Sequence, residues 1–214
     1  MRHPTRSFKE LKKSILKCKK VVARVPANDV KTDLHELKIR ALILLAHSAI
    51  EEYLESLSRE IAEAAVSDLQ QNNSINAALL SLVTYHKPSL AEKFRASDRG
   101  AAFREALLFA SRETLEKHKK LINDNNGIKQ AHQNRLLFPI GVYIRDISAQ
   151  LPDLLDSFAE KRGSVAHRIG IQKSYTRSDI EKDISQLLRE IKELDKSCCK
   201  KHAECILDHI EGPQ

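Results

Sequence analysis

The segment KRGSVAHR, residues 161–168, places a guanidinium and an imidazole close together in a basic stretch. Arg162 stands five residues before His167, and no Asp or Glu occurs between Lys161 and Arg177. The basic residues of the stretch are Lys161, Arg162, Arg168, Lys173 and Arg177. Their combined positive field favours an anionic partner such as a phosphate backbone. The sequence therefore predicts an RNA-binding surface that contains a titratable group.

This pair of residue types has the chemistry that metal-free cleavage of RNA requires. Such cleavage deprotonates a ribose 2′-hydroxyl, protonates the leaving 5′-oxygen and stabilises the charge that builds on phosphorus. The unperturbed pKa of histidine, about 6.5, lets an imidazole accept or donate the proton near neutral pH. An arginine presents a planar fork of donors that matches two phosphate oxygens. Arg162 and His167 are therefore the predicted catalytic residues.

The spacing of Arg162 and His167 limits how the two side chains can meet. In an uninterrupted helix, five residues correspond to about 140° of rotation and about 7.5 Å of rise, so the side chains would diverge. A kink or helix end at Gly163 could bring them together, since glycine costs about 1 kcal/mol relative to alanine inside a helix. Alternatively, two copies packed about a two-fold axis could line one cleft with two arginines and two histidines.

A group of potential metal ligands lies in the segment CCKKHAECILDH near the end of the sequence. On a helix, Cys198, His202, Cys205 and His209 would share one face, and each is a zinc ligand type. Cys198 and His209 would stand about 16 Å apart along the axis, too far to share an ion whose bonds are about 2.0–2.3 Å long. A closer pair could chelate only with ligands from elsewhere. The sequence favours small buried cysteines here, and we predict no metal and no cofactor.

The composition indicates an all-α protein that is large enough for one hydrophobic core. The chain has 214 residues, of which 42% are hydrophobic, with six glycines, six prolines and no tryptophan. No apolar run approaches the length of about 18 residues that a membrane helix needs, so no membrane partner is expected. The four cysteines are expected to be reduced thiols in a cytoplasmic protein. The formal net charge of +7 raises the expectation of a nucleic-acid partner.

Two long amphipathic helices are predicted before the basic motif. Residues 1–25 are expected to form a basic amphipathic helix that packs on a helical domain of residues 30–212. The apolar face of this first helix consists of Phe8, Leu11, Ile15, Cys18, Val22 and Val25. Its basic face is either solvated or contributes charge to RNA binding. A central helix is predicted to begin near Asp33 and Glu36 and to end near Gln70.

Further helices are expected after the central helix, both before the motif and beyond it. They fall near residues 75–85 and 101–122, followed by a polar turn at 123–127 and a short or kinked helix within 135–147. The helix that carries the basic motif should have Pro152 in its first turn. A last helix is predicted to start at a capping box of Ser178 and Glu181 and to run to about His209.

The sequence resembles the HEPN superfamily of small helical ribonucleases, and in particular its RiboL-PSP-like branch. The resemblance is carried by LLAHSAIEEYLESL in the central helix, NNGIKQAHQNRLLFPIG in the middle and DSFAEKRGSVAHR late in the chain. The branch has an arginine followed, after four to six residues, by a histidine. In this chain Arg162 and His167 match that pattern.

The resemblance implies a helical bundle that forms a homodimer with its active site at the interface. It also implies metal-independent endoribonuclease activity in a toxin–antitoxin or phage-defence system, with an antitoxin or defence protein as a partner. The family pattern makes Glu51, with His47 one turn away, a candidate for orienting Arg162 or His167. The alternative is a local His47 to Glu51 contact at the edge of the core.

Gly163 departs from the family pattern, which often has Asn, Asp or His directly after the arginine. Ser164 could replace the missing polar group. Some family members have lost cleavage and act by binding, so a second interpretation is a catalytically inactive HEPN module that binds RNA or a partner protein. A third interpretation, a purely structural helical dimer, draws on the long apolar stripes near both ends of the chain.

Overall fold

Helices form most of the chain in the computed structural model, which describes residues 2–88, 99–167 and 175–203. At residues 99–103, 167 and 201–203 only the backbone is described. The α-helices are α1 (Arg6–Lys20), α2 (Asp33–Asn72), α3 (Ala77–His86), α4 (Arg99–Asn123), α5 (Gln130–Leu137), α6 (Ile144–Ile147), α7 (Leu151–His167) and α8 (Arg177–Ala203). A 3₁₀ turn, Phe138–Ile140, lies between α5 and α6. No strand occurs in these ranges, which confirms the predicted all-α class.

Helix α2 is the scaffold on which most other helices pack. Its apolar residues recur with the helical period and are buried from Ile39 to Leu69. At its first turn, the Thr32 hydroxyl accepts a hydrogen bond from the backbone N–H of His35 at 3.2 Å. Asn73, with a φ of 52°, ends the helix in the left-handed conformation. The predicted central helix is therefore confirmed.

None of the described helices combines the length and hydropathy that crossing a membrane requires.

Helix α1 packs on α2 through the apolar face that the sequence predicts. The residues of this face are all buried: Phe8, Leu11, Ile15 and Cys18 on α1, and Val22 and Val25 in the turn that follows it. The rings of Phe8 and Tyr53 meet edge to face, with their centroids 6.1 Å apart. Most lysines of α1 are exposed, so its basic face points into solvent.

The segment before α1 is fixed to α8 by a buried carboxylate, and we call this group the Asp195 cluster. Asp195 is fully buried and accepts hydrogen bonds from the backbone N–H of Thr5, at 3.0 Å, and from the Thr5 hydroxyl. The Nδ1 of His3 lies 2.8 Å from the same carboxylate. The Tyr53 hydroxyl completes the group at 3.4 Å, and burial raises the pKa of Tyr53. Both oxygens of Asp195 therefore have partners.

A second buried polar group joins α2, α4 and α5, and we call it the Ser58–His118 pair. The Ser58 hydroxyl donates to the backbone carbonyl of Leu136 at 2.6 Å. Because its one hydrogen is used there, the hydroxyl accepts from Nε2–H of His118 at 2.8 Å. The Nδ1 of His118 is buried with no hydrogen-bond partner among the described residues. Burial accordingly lowers the pKa of His118 to about 4.

Helices α7 and α8 meet beside the late basic stretch. Pro152 lies in the first turn of α7 as predicted, and Leu155 and Phe158 are buried. The predicted capping box of Ser178 and Glu181 is wrong by two residues. The actual cap is Thr176, whose hydroxyl accepts from the backbone N–H of Asp179 at 3.1 Å while the Asp179 carboxylate accepts from the Thr176 N–H at 3.4 Å.

The earlier start of α8 has a structural reason. Both registers carry the capping pattern, but the earlier one includes Arg177 in the first turn of the helix. There its guanidinium donates to the backbone carbonyl of Val25 at 3.0 Å and pairs with Glu181 at 3.0 Å. The hydrogen bond to Val25 fixes α8 to the turn that follows α1. The apolar stripe predicted for this helix is buried as expected: Ile180, Ile184, Leu187, Ile191, Leu194 and Cys198.

Candidate active site

An open cleft of about 400 Å³ lies where α2, the turn after α4, α5 and α7 converge, and we call it the Arg162 cleft. The polar and glycine residues that line it include His47, Asn126, Gly127, His132, Arg162 and Gly163. Helix α2 supplies one wall because His47 sits at the edge of its buried stripe. The polar turn predicted at 123–127 forms the rim, and its predicted position is confirmed. The cleft thus brings together residues from all three stretches on which the family resemblance rests.

Arg162 is exposed on α7 and reaches the cleft without an ion-pair partner among the described residues. Its neighbour Lys161 differs, because it pairs with Asp183 of α8. The charge of Arg162 still acts on the cleft, since it lowers the pKa of His47 and opposes the rise in the pKa of Glu51. Arg162 is therefore the guanidinium in this cleft whose donors remain available for an anion.

His47 and Glu51 are close neighbours, with Nδ1 of His47 3.7 Å from Oε2 of Glu51. His47 is 5% exposed, and burial, the charge of Arg162 and then that of His132 lower its pKa to about 4. Burial and the nearby Glu55 carboxylate raise the pKa of Glu51. His47 is consequently neutral at pH 7 and is a weak base. The pair forms a polar wall beside Arg162 rather than a second cationic site.

A hydrogen-bonded group that the sequence did not indicate adjoins the cleft through His132. Asn125 donates from Nδ2 to Oε1 of Glu55 at 2.8 Å and to the backbone carbonyl of Gly127 at 3.1 Å. Its Oδ1 lies 3.1 Å from Nδ1 of His132. We call Glu55, Asn125 and His132 the His132 network. Its members come from α2, the turn and α5, so no sequence spacing relates them, and the histidine among polar residues in NNGIKQAHQ was the only available signal.

Several residues predicted around the motif are occupied by structural contacts. The Ser164 hydroxyl donates to the backbone carbonyl of Lys161 at 2.8 Å and lies 3.3 Å from the Tyr175 hydroxyl. Lys161 and Arg177 pair with Asp183 and Glu181 of α8. Both carboxylates lie beyond residue 177, so a count of charges between residues 161 and 177 does not include them. Arg168 and Lys173 lie outside the described residues.

The relation between Arg162 and His167 follows from the backbone of α7. The helix continues through Gly163 to His167, its last described residue, so of the two alternatives the helix end at Gly163 is wrong. A Cβ built on Gly163 would meet no atom within 4 Å, so no close packing at this position requires a glycine. Along a continuous helix the two residues remain about 140° and about 7.5 Å apart. The side chain of His167 lies outside the described part of the structure.

No group of three or more metal-binding side chains occurs among the residues whose side chains are described. In the cysteine-rich tail, Cys198 and Cys199 are buried and form no disulfide, and the same holds for Cys18 of α1. The side chain of His202 and the whole of Cys205 and His209 lie outside the described residues. Burial raises the pKa of the Cys18 and Cys199 thiols, which keeps them protonated and unreactive.

Comparison with known families gives a match over most of the chain. The model of the family described as RiboL-PSP-HEPN matches residues 6–200. This span includes α1, the whole Arg162 cleft and nearly all of α8. Comparisons with curated proteins and with solved structures gave no match.

Proposed function

Because this chain belongs to the RiboL-PSP-HEPN family, we propose that it is a metal-independent endoribonuclease whose reactive residues are Arg162 and His167. Family membership assigns the chain a nuclease-like or RNA-related role. The observation that carries the finer proposal is Arg162 itself. It is exposed on α7, has no ion-pair partner among the described residues and lines a cleft with ionisable side chains. A guanidinium in such a place is suited to a phosphodiester.

In the proposed reaction, Arg162 donates hydrogen bonds to the non-bridging oxygens of the scissile phosphate. The 2′-oxygen attacks phosphorus as the bond from phosphorus to the 5′-oxygen breaks. The products are a 2′,3′-cyclic phosphate and a 5′-hydroxyl. His167 is the proposed proton-transfer residue of the family motif, and arginine stabilises the charge that develops on the phosphoryl oxygens. Single-stranded or loop RNA is the expected substrate, because a duplex holds the backbone away from in-line attack.

A homodimer is the proposed active form. On the continuous α7, Arg162 and His167 of one chain are about 140° apart around the axis, which separates them within a single copy. A two-fold contact beside α7 would bring the histidine of one chain to the arginine of the other. We propose further that the protein is a cytoplasmic toxin or phage-defence effector that an antitoxin or defence protein restrains.

The test of this proposal is cleavage of total RNA by purified protein. Arg162→Ala should lower kcat/KM at least 100-fold, about 3 kcal/mol of transition-state stabilisation. His167→Ala should abolish cleavage, and EDTA should leave it unchanged. Arg112→Ala is the matched control, because Arg112 is an exposed arginine of α4 that does not line the cleft. Cleavage that requires a divalent cation and survives both motif substitutions would contradict the proposal.

A second candidate function is RNA or partner binding without cleavage, which Gly163 favours because the family often has a polar residue there. This candidate predicts salt-dependent RNA binding with no cleaved product at any excess of protein. Gly163→Asn separates the two, since the open space around Gly163 accepts a side chain. Cleavage that appears only in the Gly163→Asn protein would identify the natural chain as a binding module.

A further inference from the structure

The Arg162 cleft contains a second imidazole, His132, that the Arg162 and His167 motif does not include. His132 lies on α5, is partly exposed and lines the same cleft as His47 and Arg162. Both Arg162 and His132 contribute to the lowered pKa of His47, so each of the two lies within electrostatic reach of His47. A histidine that lines the same cleft as the arginine proposed to bind phosphate is placed for proton transfer.

The hydrogen bonds of Asn125 fix which nitrogen of His132 carries a hydrogen. Both partners of the Asn125 Nδ2, the Glu55 carboxylate at 2.8 Å and the Gly127 carbonyl at 3.1 Å, are acceptors, so this atom is the amide nitrogen. The amide oxygen therefore faces His132, and Nδ1 of His132 must donate to it across 3.1 Å. In the neutral imidazole the hydrogen is on Nδ1, and Nε2 keeps a lone pair.

The lone pair on Nε2 of His132 is accessible from the cleft. No described residue hydrogen-bonds to this atom, and it is not among the buried polar atoms that lack a partner. Gly127 contributes to this access, because a Cβ at that position would lie 3.1 Å from Nε2. The absence of a side chain at Gly127 thus leaves room beside the one nitrogen of His132 that can accept a proton.

The geometry points to His132 as the residue that accepts the proton of the substrate 2′-hydroxyl, with Asn125 and Glu55 as positioning residues. This assignment rests on the proposed endoribonuclease activity. The proton passes from the 2′-hydroxyl to Nε2 while the 2′-oxygen bonds to phosphorus. The bond from phosphorus to the 5′-oxygen breaks, and the leaving oxygen takes a proton from His167. One imidazole gains a proton and the other loses one, so the step balances.

His47 does not fit the same role, although it lines the same cleft. It is 5% exposed, and its pKa of about 4 makes it a weak base. A general base is most effective when its pKa lies near the working pH. His47 instead adds a neutral polar surface beside Arg162.

The first test is His132→Asn, which keeps a side-chain donor toward Asn125 but has no nitrogen that titrates. We expect kcat/KM to fall at least 100-fold, the usual contribution of one proton-transfer group, with RNA affinity and melting temperature unchanged. His35→Asn is the matched control, because His35 is a partly exposed histidine of α2 outside the cleft. Full activity of His132→Asn in a preparation where Arg162→Ala is inactive would overturn the assignment and leave the proposed function intact.

The second test separates the base from the acid. In RNA with sulfur in place of the bridging 5′-oxygen, the leaving thiolate needs no proton, because thiols are far more acidic than alcohols. Such a substrate should restore cleavage by His167→Ala but not by His132→Asn. Restoration of His132→Asn would show that His132 is not the base.

The third test measures the positioning residues without reference to activity. The imidazole ¹⁵N shifts of His132 should report the Nδ1–H tautomer, and Asn125→Ala should abolish that preference. A 2′-deoxy RNA, which binds but cannot be cleaved, should perturb Nε2 more than Nδ1. An Nε2–H tautomer in the wild-type protein would contradict the assignment. A wild-type protein that shows the expected tautomer but never cleaves RNA would overturn the proposed function, and the catalytic role of His132 with it.

Discussion

His118 and His132 each have one nitrogen held by a neighbour, but their second nitrogens lie in opposite surroundings. At His118 the Ser58 hydroxyl accepts from Nε2–H, and Nδ1 is buried without a described partner. At His132 the Asn125 oxygen accepts from Nδ1–H, and Nε2 is accessible from the Arg162 cleft. In both sites a single hydrogen bond fixes the tautomer. The place of the other nitrogen decides whether the imidazole can do chemistry.

A strongly lowered pKa and an accessible nitrogen do not coincide in these histidines. The pKa values of His47 and His118 are both lowered to about 4, chiefly by burial. Burial of this kind disfavours the protonated, charged form of an imidazole. A search for strongly shifted titratable groups would therefore select these two histidines first. Hydrogen-bond geometry and access select His132.

The largest expected effects come from substituting each of the two histidines with alanine. His118→Ala should lower the free energy of unfolding by about 3 kcal/mol, because it leaves a cavity and removes a buried hydrogen bond. Cleavage per folded molecule should not change. His132→Ala should instead lower cleavage at least 100-fold and lower the free energy of unfolding by less than about 1 kcal/mol. Urea unfolding and single-turnover cleavage on the same preparations measure both, and a variant that loses both properties would break the distinction.

The next effect is a dependence of stability on pH that arises from the buried histidines. An unfolded histidine binds a proton below a pKa of about 6.5, whereas folded His118 and His47 bind one only below about 4. Their contribution to stability is therefore complete above pH 6.5 and is lost as the pH falls toward 4. At pH 5 the loss should be of the order of 2 kcal/mol for each histidine.

Comparison of wild type with His118→Leu isolates one histidine from this pH dependence. Glu51 and Glu60 have raised pKa values and contribute with the opposite sign, so the difference between the two proteins is the informative quantity. Urea denaturation at pH 7 and pH 5 should show a smaller loss for His118→Leu. Equal losses in the two proteins would show that His118 is not held neutral.

A smaller effect is expected at the glycine beside the accessible nitrogen. In Gly127→Ala the new Cβ would lie 3.1 Å from Nε2 of His132, so the ring must move by a few tenths of an ångström. We expect about a tenfold fall in kcat, because displacing a proton-transfer group costs part of its contribution. RNA affinity by filter binding should stay the same. Unchanged kcat would indicate that Nε2 is not at the reacting centre.

The smallest effect is expected at the other glycine of the cleft. Gly163 lies within α7 with no atom close to a built Cβ, so Gly163→Ala should stabilise the protein by about 0.5–1 kcal/mol. Thermal unfolding measures this change. Cleavage should stay within twofold of wild type, which makes this variant the control for Gly127→Ala. A destabilised Gly163→Ala protein would show that α7 needs a glycine at this point.

The sequence predicts the helices well because their apolar stripes have the period of the helix. The buried faces of α1 and α8 and the start of α2 all follow from residue spacing. The sequence predicts the start of α8 two residues too late because two overlapping capping patterns fit it equally well. The contacts of Arg177 with Val25 and Glu181 favour the pattern that begins at Thr176. Residue spacing predicts where a helix lies, but when two capping patterns fit equally well, contacts with other helices and turns decide where the helix begins.

The candidate site was predictable only in part for the same reason. Arg162 stands in a continuous motif, whereas Glu55, Asn125 and His132 meet only after α2, α5 and the intervening turn have packed. The run of basic residues from Lys161 to Arg177 suggested a strongly positive surface. Asp183 and Glu181 of α8 pair with Lys161 and Arg177, and both carboxylates lie beyond the end of that stretch.

The Asp195 cluster has a consequence for how the chain is made. Thr5 leaves the ribosome 190 residues before Asp195, its hydrogen-bond partner. At about 5–20 residues per second, the start of the chain waits about 10–40 s for that partner. Helix α1 can pack on α2 during this interval, but the hydrogen bonds between Thr5 and Asp195 form only after α8 has been synthesised. A nascent chain would therefore have its central scaffold early and its final rigidity late.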